Sequence, residues 1–428
     1  MSDTLLNILR GLLGIFVFVI IAYFLSTNKK KINWKLVLYG LVFQFILAFL
    51  ILKVPVVYDF FNLISQLFVK VYQFSLEGSK FLFGDIPVKP ELFGFGFAFR
   101  ILPSIIFFSA LSALFYYLKI IPVLVDFFAK MLRKVMNISG AESLAVAANI
   151  FLGHTESPLV IKPFLSKMSK SELHTVVTGG FATITGAVLA ALVGILGGDD
   201  PLLQEYYATH FLTASVISAP AAIIISKIII PETVLVDEQA ILSNKDRATN
   251  IFDSITNGTF DGLQLAINVA GMLLVFISLI AFLNFLLSDI IGHYTGLNSI
   301  LPGQKGFSMD FIFGIIGAPI SWLMGINWSD SFVTGQLIGQ KTVFNEIFAY
   351  SSLNDMIASG ELTNKRSILI ISYGLCGFAN FGSIGIMIGA IGTLAPNKKS
   401  EVASICLRAL VSGSLACFIT ACMAGILE

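Results

Sequence analysis

Charge is scarce in this chain. Of 428 residues only 12% are Asp, Glu, Lys or Arg, against roughly 25% in an ordinary soluble domain. A soluble globule so composed could not cover its surface with polar groups. The 27 basic and 26 acidic residues leave a net charge of +1, which excludes a long-range field that would draw nucleic acid or an acidic partner. Cysteine is equally rare. Cys376, Cys406, Cys417 and Cys422 all lie in apolar C-terminal segments, with no spacing for a disulfide framework or a zinc site. His174, His210 and His293 have no ligand spacing with His154 and read as structural or solvated. No phosphate-cradling Gly-rich loop, metalloprotease helix or nucleophile elbow occurs, so neither ATP-driven transport nor a familiar hydrolase mechanism has support.

Apolar residues are abundant, at 56%. Continuous apolar runs cover 5–25, 36–55, 95–118, 172–196, 205–230, 262–287, 367–395 and 402–427, each close to or above the ~20 residues a helix needs to cross a bilayer. They predict an all-α polytopic membrane protein with eight transmembrane helices. The first run is too long for a signal-peptide core and is followed by Lys29, Lys30 and Lys31 rather than a cleavage site, so it is expected to stay as a span. Between spans two and three, Asp59, Asn62, Gln66, Lys70, Gln73, Glu77 and Lys80 recur every three or four positions in a Phe- and Val-rich background. That pattern predicts an interfacial helix, although a helix buried between spans would carry the same stripe.

Cytoplasmic loops are enriched in Lys and Arg. Lys29, Lys30, Lys31 and Lys35 follow span one, Lys119, Lys130, Arg133 and Lys134 follow span three, and Lys398 and Lys399 follow span seven, whereas Asp199 and Asp200 follow span four. All agree on one orientation, with both termini outside and residues 231–255 as a cytoplasmic linker.

Two stretches, 140–168 and 327–360, hold half-length apolar pieces broken at Gly153-His154-Thr155-Glu156 and at Phe344-Asn345-Glu346. Each reads as a re-entrant helical hairpin, a form tolerated only where the broken backbone is buried in protein or lines a wet cavity. After the first comes a span containing Gly180-Phe181-Ala182-Thr183; after the second, one containing Gly377-Phe378-Ala379-Asn380. Three spans separate the hairpins, so they enter from opposite faces and the repeat is inverted. Paired interrupted segments of this kind point to a secondary transporter with its site near the midplane.

A carboxylate at membrane depth costs on the order of 2.5–3.5 kcal/mol even on the lenient insertion scale, so Glu156 and Glu346 each require a partner or a wet cavity. Equivalent repeat positions favour one shared ligand site; the alternative is that each caps its hairpin or pairs with a Lys such as Lys341. Thr155, Asn345, Asn380 and Ser383 add neutral donors and acceptors without a cationic cluster, which suits a hydroxyl-rich neutral solute better than a phosphate. Singly, each could instead be helix–helix glue. Carbonyls of Asn149, Leu152, Thr183 and Ile184, with hydroxyls of Thr155 and Thr183, could hold a small hard cation, or be closed by ordered water. Arg100, inside span three, reads as snorkelling or binding carbonyls at an interface.

These motifs resemble the concentrative nucleoside transporter family, along nearly the whole chain. The specific stretches are Gly153-His154-Thr155-Glu156-Ser157-Pro158, Gly339-Gln340-Lys341-Thr342-Val343-Phe344-Asn345-Glu346-Ile347-Phe348-Ala349-Tyr350 and Cys376-Gly377-Phe378-Ala379-Asn380-Phe381-Gly382-Ser383. The resemblance implies a homotrimer in the cytoplasmic membrane of a bacterium, with an elevator-type mechanism. It also implies a division of the chain: scaffold spans one to three with an interfacial helix over 1–118; a first transport repeat over 119–230, with hairpin 140–168 and spans four and five; linker and scaffold span six over 231–308; and a second transport repeat over 309–428, with hairpin 327–360 and spans seven and eight. It implies a nucleobase site at His154, Thr155 and Glu156 with Val188 close by, a ribose site at Glu346, Asn380 and Ser383 walled by Phe378, and a sodium site at Asn149, Leu152, Thr155, Thr183 and Ile184. Nucleosides such as uridine, cytidine and adenosine are the implied substrates, with sodium as the coupling ion and no organic cofactor.

Two departures stand out. His154 replaces the family's usual Gln, changing the pattern offered to the base, although a neutral imidazole still donates once and accepts once. Ile347-Phe348 replaces Phe-Val and leaves Asn345 and Glu346 intact. The Thr183 hydroxyl favours sodium, and His154 keeps proton coupling as the alternative. An intramembrane enzyme using His154 and Glu156 would explain the first hairpin but not its inverted counterpart. A passive channel finds no obvious pore.

Overall fold

The computed structural model describes residues 3–88, 97–234, 248–300 and 306–428. Part of the expected linker 231–255 and the first residues of span three lie outside that set. Among the described residues the protein is helical throughout, with no strand. Helices α1 (Asp3–Phe24), α2 (Trp34–Lys53) and α3 (Pro55–Phe83) come first. Pro55 sits at the first turn of α3, where its missing N–H costs nothing. Span three is α4 (Leu102–Tyr117), entered through a π-helical turn at Phe97–Ile101. An amphipathic helix, α5 (Ile120–Met136), follows; it buries Ile121, Val125, Ala129 and Leu132 along one face.

The first hairpin begins at α6 (Gly140–Asn149), started by a capping box in which Ser139 and Glu142 satisfy each other's backbone N–H groups. Its return limb is only two short turns, α7 (Ser157–Val160) and α8 (Lys162–Leu165). Pro158 and Pro163 each open a turn and prevent the preceding one from continuing. Span four is broken as the sequence predicts, into α9 (Lys170–Ala182) and α10 (Gly186–Gly197). Ser169 and Glu172 form a second capping box at its start. Span five is α11 (Pro201–Ile229), and span six is α12 (Ile251–Asn284), which continues helically to Thr295.

The sequence pattern predicts no helix between span six and the second hairpin, yet the structure has α13 (Met309–Leu323) there. It packs against α14 (Trp328–Val343), the first limb of the second hairpin, after a 118° bend. The two approach so closely that a β-carbon on Gly317 or Gly335 would strike the backbone of the other helix. The return limb is α15 (Glu346–Ala358). Span seven is broken into α16 (Lys365–Leu375) and α17 (Phe381–Leu394), and span eight is α18 (Lys399–Leu427).

Seven of the described helices are long and apolar enough to cross a membrane. The residues of the eighth expected span, 367–395, form the shorter helices α16 and α17, which do not meet that test, whereas the bent pair α13 and α14 meets it taken together. Burial separates the helices into two groups. The apolar stretch of α11 is 94% buried, whereas that of α12 is 0% buried. The core therefore lies among α9, α10, α11 and α18, and α12 stands at the periphery against α4.

The polar residues at the breaks start the next half-helix. Thr185 accepts from Val188 N at 3.1 Å, Asn345 from Phe348 N at 2.8 Å and Asn380 from Ser383 N at 2.8 Å. Each satisfies donors that a helix start otherwise leaves unpaired. Where spans four and seven break, they cross. Gly377 has φ +147° and its α-carbon packs so near the Phe181 carbonyl that a β-carbon would sit 2.6 Å from that oxygen. Only glycine fits both the dihedral and the space.

Candidate functional site

The crossing breaks and the two hairpin tips surround a cavity of about 460 Å³. All eight residues expected to touch a solute line it: His154, Thr155, Glu156, Val188, Glu346, Phe378, Asn380 and Ser383. Glu156 and Glu346, from opposite hairpins, therefore border one space. The N-termini of α10, α15 and α17 reach its wall at Thr185, Asn345 and Asn380, bringing the partial positive ends of three helices to a polar chamber.

Glu346 is 5% exposed, and its Oε2 accepts from Asn380 Nδ2 at 3.2 Å. Because Asn380 Oδ1 is engaged in capping α17, its amide is fixed in orientation and its donor is aimed at the carboxylate. Glu156 Oε2 accepts from Gly153 N at 3.3 Å, closing the first hairpin tip on itself. His154 is 9% exposed, its ring 4.6 Å from that of Phe378 at 51°. Both its ring nitrogens are buried without a hydrogen-bond partner among the described residues. Such groups are costly unless something pairs with them.

The residues expected at a cation site sit on the first hairpin and the span behind it. Asn149 ends α6 with both side-chain atoms buried and unpartnered, against Gly179 and Gly180 of α9. Thr183 and Ile184 lie buried in the break of span four, and Thr183 Oγ1 donates to Gly179 O at 2.9 Å. Leu152 is buried, and Thr155 opens onto the cavity. Ser157 Oγ and Thr178 Oγ1 are also buried without partners. Nothing in the sequence singles out these two hydroxyls, and only their position beside the hairpin and the broken span distinguishes them.

The peripheral helices complete the chamber with residues the sequence reading missed. Asp261, Gln264 and Asn268 project from α12, and Ser109 and Ser112 from α4. Asp261, Gln264 and Asn268 follow helical spacing on one face, the one signal that could have found them. A second cavity of about 200 Å³ shares Ser109, Ser112, Glu156 and Asp261 with the first and extends past Tyr116 and Asn257.

The other singled-out residues are structural. His174 Nδ1 lies 2.8 Å from Ser226 Oγ, and His210 Nδ1 lies 2.9 Å from Tyr373 Oη. Arg100 binds a carbonyl, donating to Gly198 O at 2.7 Å and to Asp199 Oδ1 at 2.6 Å. It ties the start of span three to the loop after span four.

A helical membrane protein whose interrupted helices enclose a polar chamber belongs to the transporter class, and comparison with known proteins gives the family. Residues 13–86 match the Na+ dependent nucleoside transporter N-terminus family, residues 210–425 its C-terminus counterpart, and residues 98–199 the nucleoside recognition family called Gate. The chain is 38% identical to the Bacillus subtilis transporter YutK over 425 residues, covering 98% of this chain and 99% of that one. It is 37% identical to solute carrier family 28 member 3 of Eptatretus stoutii over 429 residues, covering 97% of this chain and 60% of that protein's length. The structure of CNTnw in an inward-facing substrate-bound state matches with a TM-score of 0.87 at 34% identity, covering 98% of each chain. A CNTnw variant in an outward-facing state matches with a TM-score of 0.89 at 34% identity, covering 99% of each chain. The chain belongs to the concentrative nucleoside transporter family.

Proposed function

We propose that this protein imports nucleosides across the cytoplasmic membrane of a bacterium by sodium symport, as a homotrimer with both termini outside. The observation that carries this reading is that Glu156 and Glu346, from two separate hairpins, border one cavity together with His154 and Asn380. In it, Glu346, Asn380 and Ser383 hold the ribose hydroxyls, Phe378 walls the sugar, and His154, Thr155 and Glu156 face the base beside Val188. The paired carboxylate and amide suit vicinal hydroxyls, which donate to one and accept from the other. The unpartnered imidazole nitrogens offer a donor and an acceptor to a base edge.

Sodium is held by carbonyl and side-chain oxygens of Asn149, Leu152, Thr155, Thr183 and Ile184. The buried, unpartnered amide of Asn149 fits that role, because a hard cation takes neutral oxygen ligands where a helix unwinds. One sodium ion moving down 100 mV contributes about 2.3 kcal/mol, and a tenfold gradient about 1.4 kcal/mol more. The sum, about 3.7 kcal/mol, supports several-hundredfold accumulation.

Spans one, two, three and six form a fixed scaffold, with an interfacial helix, over 1–118 and 231–308. The segments 119–230 and 309–428, with the two re-entrant hairpins and spans four, five, seven and eight, move as an elevator, completing eight spans. The contrast between the buried α11 and the peripheral α12 supports that division, as does resemblance to relatives in both inward- and outward-facing states. Uptake competition across a panel of nucleosides, with and without sodium, tests the reading. Sodium-dependent competition by nucleosides is expected; indifference to them, or chemical turnover of the solute, would overturn it.

A further inference from the structure

Arg100 joins two segments that the elevator reading sets in relative motion. It lies in the π-helical turn Phe97–Ile101 that opens span three, and it is buried. On the scaffold side its Nε donates at 3.3 Å to the hydroxyl of Tyr72, a fully buried residue of α3. On the transport side its Nη1 donates to Asp199 Oδ1 at 2.6 Å and its Nη2 to Gly198 O at 2.7 Å. Gly198 closes α10 with φ +53°, and its carbonyl also accepts from Gln204 Nε2 at 2.6 Å. A guanidinium placed there meets the negative end of a helix. The opposite end of that helix reaches the solute chamber at Thr185 and Val188.

The packing beside this tie is smooth. A β-carbon on Gly194 of α10 would strike Tyr72 Oη and the side chain of Ile101, and one on Gly186 would meet Ser112 of α4. Gly186, Ala190 and Gly194 follow one another every four residues, on one face of the helix, so that face offers α3 and α4 no bulky side chain to interlock with. Apolar burial is non-directional and changes little as such a face slides. Hydrogen bonds are directional and short-ranged. A shift of one helical turn, about 5.4 Å, breaks both bonds from Arg100 to the end of α10 and leaves its bond to Tyr72 in place. The Asp199 side chain is 69% exposed, so water takes over that partner and the separation costs little. Farther along α3, Thr209 Oγ1 of α11 lies 2.9 Å from Ser65 Oγ across the same boundary, a neutral and therefore weaker contact.

We propose that Arg100 is the scaffold residue that holds the transport segments in the position seen here, a positioning residue for the translocation step whose bonds to Gly198 and Asp199 are broken and remade in each cycle. This inference rests on the elevator reading above and names the contact that sets one of its end positions.

The test measures the distance between spin labels at Phe81→Cys on α3 and Leu202→Cys on α11, both exposed positions, in proteoliposomes where labelled protomers are diluted into an excess of unlabelled ones. The native cysteines are buried and stay unlabelled. Phe83 packs edge-on against Phe99, next to Arg100, and Leu202 closely follows Asp199, so the tied position gives the shorter distance. An otherwise wild-type chain, with and without sodium and uridine, should show two distances. In Arg100→Gln the ratio of the shorter to the longer should fall at least tenfold, the worth of the lost charge-assisted bonds. Arg100→Lys, which keeps the charge and loses the fork, should fall less. If Arg100→Gln does not fold, Asp199→Asn carries the test, with a fall of at least twofold. An unchanged ratio in the variant tested overturns the proposal, and a variant that is merely less heat-stable at the wild-type ratio makes Arg100 a structural residue. A wild type that imports uridine while holding one distance throughout overturns the elevator reading itself, whereas two wild-type distances that Arg100→Gln does not redistribute overturn this inference alone.

Discussion

Asn380 holds Glu346 from across the second hairpin, its Nδ2 donating to Oε2 at 3.2 Å while its Oδ1 caps α17. One side chain thereby fixes both the start of a half-helix and the carboxylate proposed to bind ribose. Glu346→Gln keeps the shape and removes the charge. Each charge-assisted hydrogen bond contributes about 1.5–3 kcal/mol, so uridine affinity should fall at least tenfold, with uptake lost and oligomer assembly intact. Equilibrium binding and uptake on the same preparation check this.

His154 presents two buried ring nitrogens without partners. His154→Ala should weaken binding of every nucleoside by roughly five- to tenfold, about one hydrogen bond. His154→Gln should reorder the panel, because an amide offers its donor and acceptor side by side whereas an imidazole offers them on opposite edges. Competition constants for purine and pyrimidine nucleosides measure both effects. An unaltered panel in His154→Ala would remove the base contact.

Gly377 is fixed by its positive φ and by the Phe181 carbonyl. Gly377→Ala should cost about 1–3 kcal/mol from the dihedral alone, and more from the clash where the two broken spans cross. Thermal unfolding of the purified variant should show a clear loss, with nucleoside uptake falling in parallel. A variant as stable as wild type would contradict the packing account.

Lys227 ties span five to the base of the first hairpin, pairing with Glu142 and donating to Ser171 Oγ at 3.0 Å. Removing one partner of a buried pair leaves an uncompensated charge, at about 3–5 kcal/mol. Lys227→Met should therefore destabilise the protein strongly, and Lys227→Met with Glu142→Gln, which removes the charge but keeps the acceptor for Ser139 N, should recover much of the loss. Denaturation midpoints of the single and double variants decide it.

The hairpin tips and helix breaks were legible in the sequence because polar residues in an apolar background have few uses at membrane depth. Glu156, Glu346, Asn380 and Ser383 stand out for that reason, and the structure brings all four to one cavity. Helix α13 did not stand out. It is short, apolar and interrupted by Pro319, and it is held through glycine contacts with α14 that exist only once both are folded. Asp261, Gln264 and Asn268 were equally hidden, since scattered polar residues in a span look like helix–helix contacts until the facing surface is known. The short return limb of the first hairpin was written in Pro158 and Pro163, but the reading treated 140–168 as one unit.

The most direct test of the account is uridine accumulation in proteoliposomes under an inward sodium gradient at constant pH, with wild type and Glu346→Gln side by side. The account predicts concentrative uptake by the wild type that collapses with the gradient, and none by the variant. Undiminished uptake by Glu346→Gln, or accumulation that follows a pH gradient and ignores sodium, would contradict it.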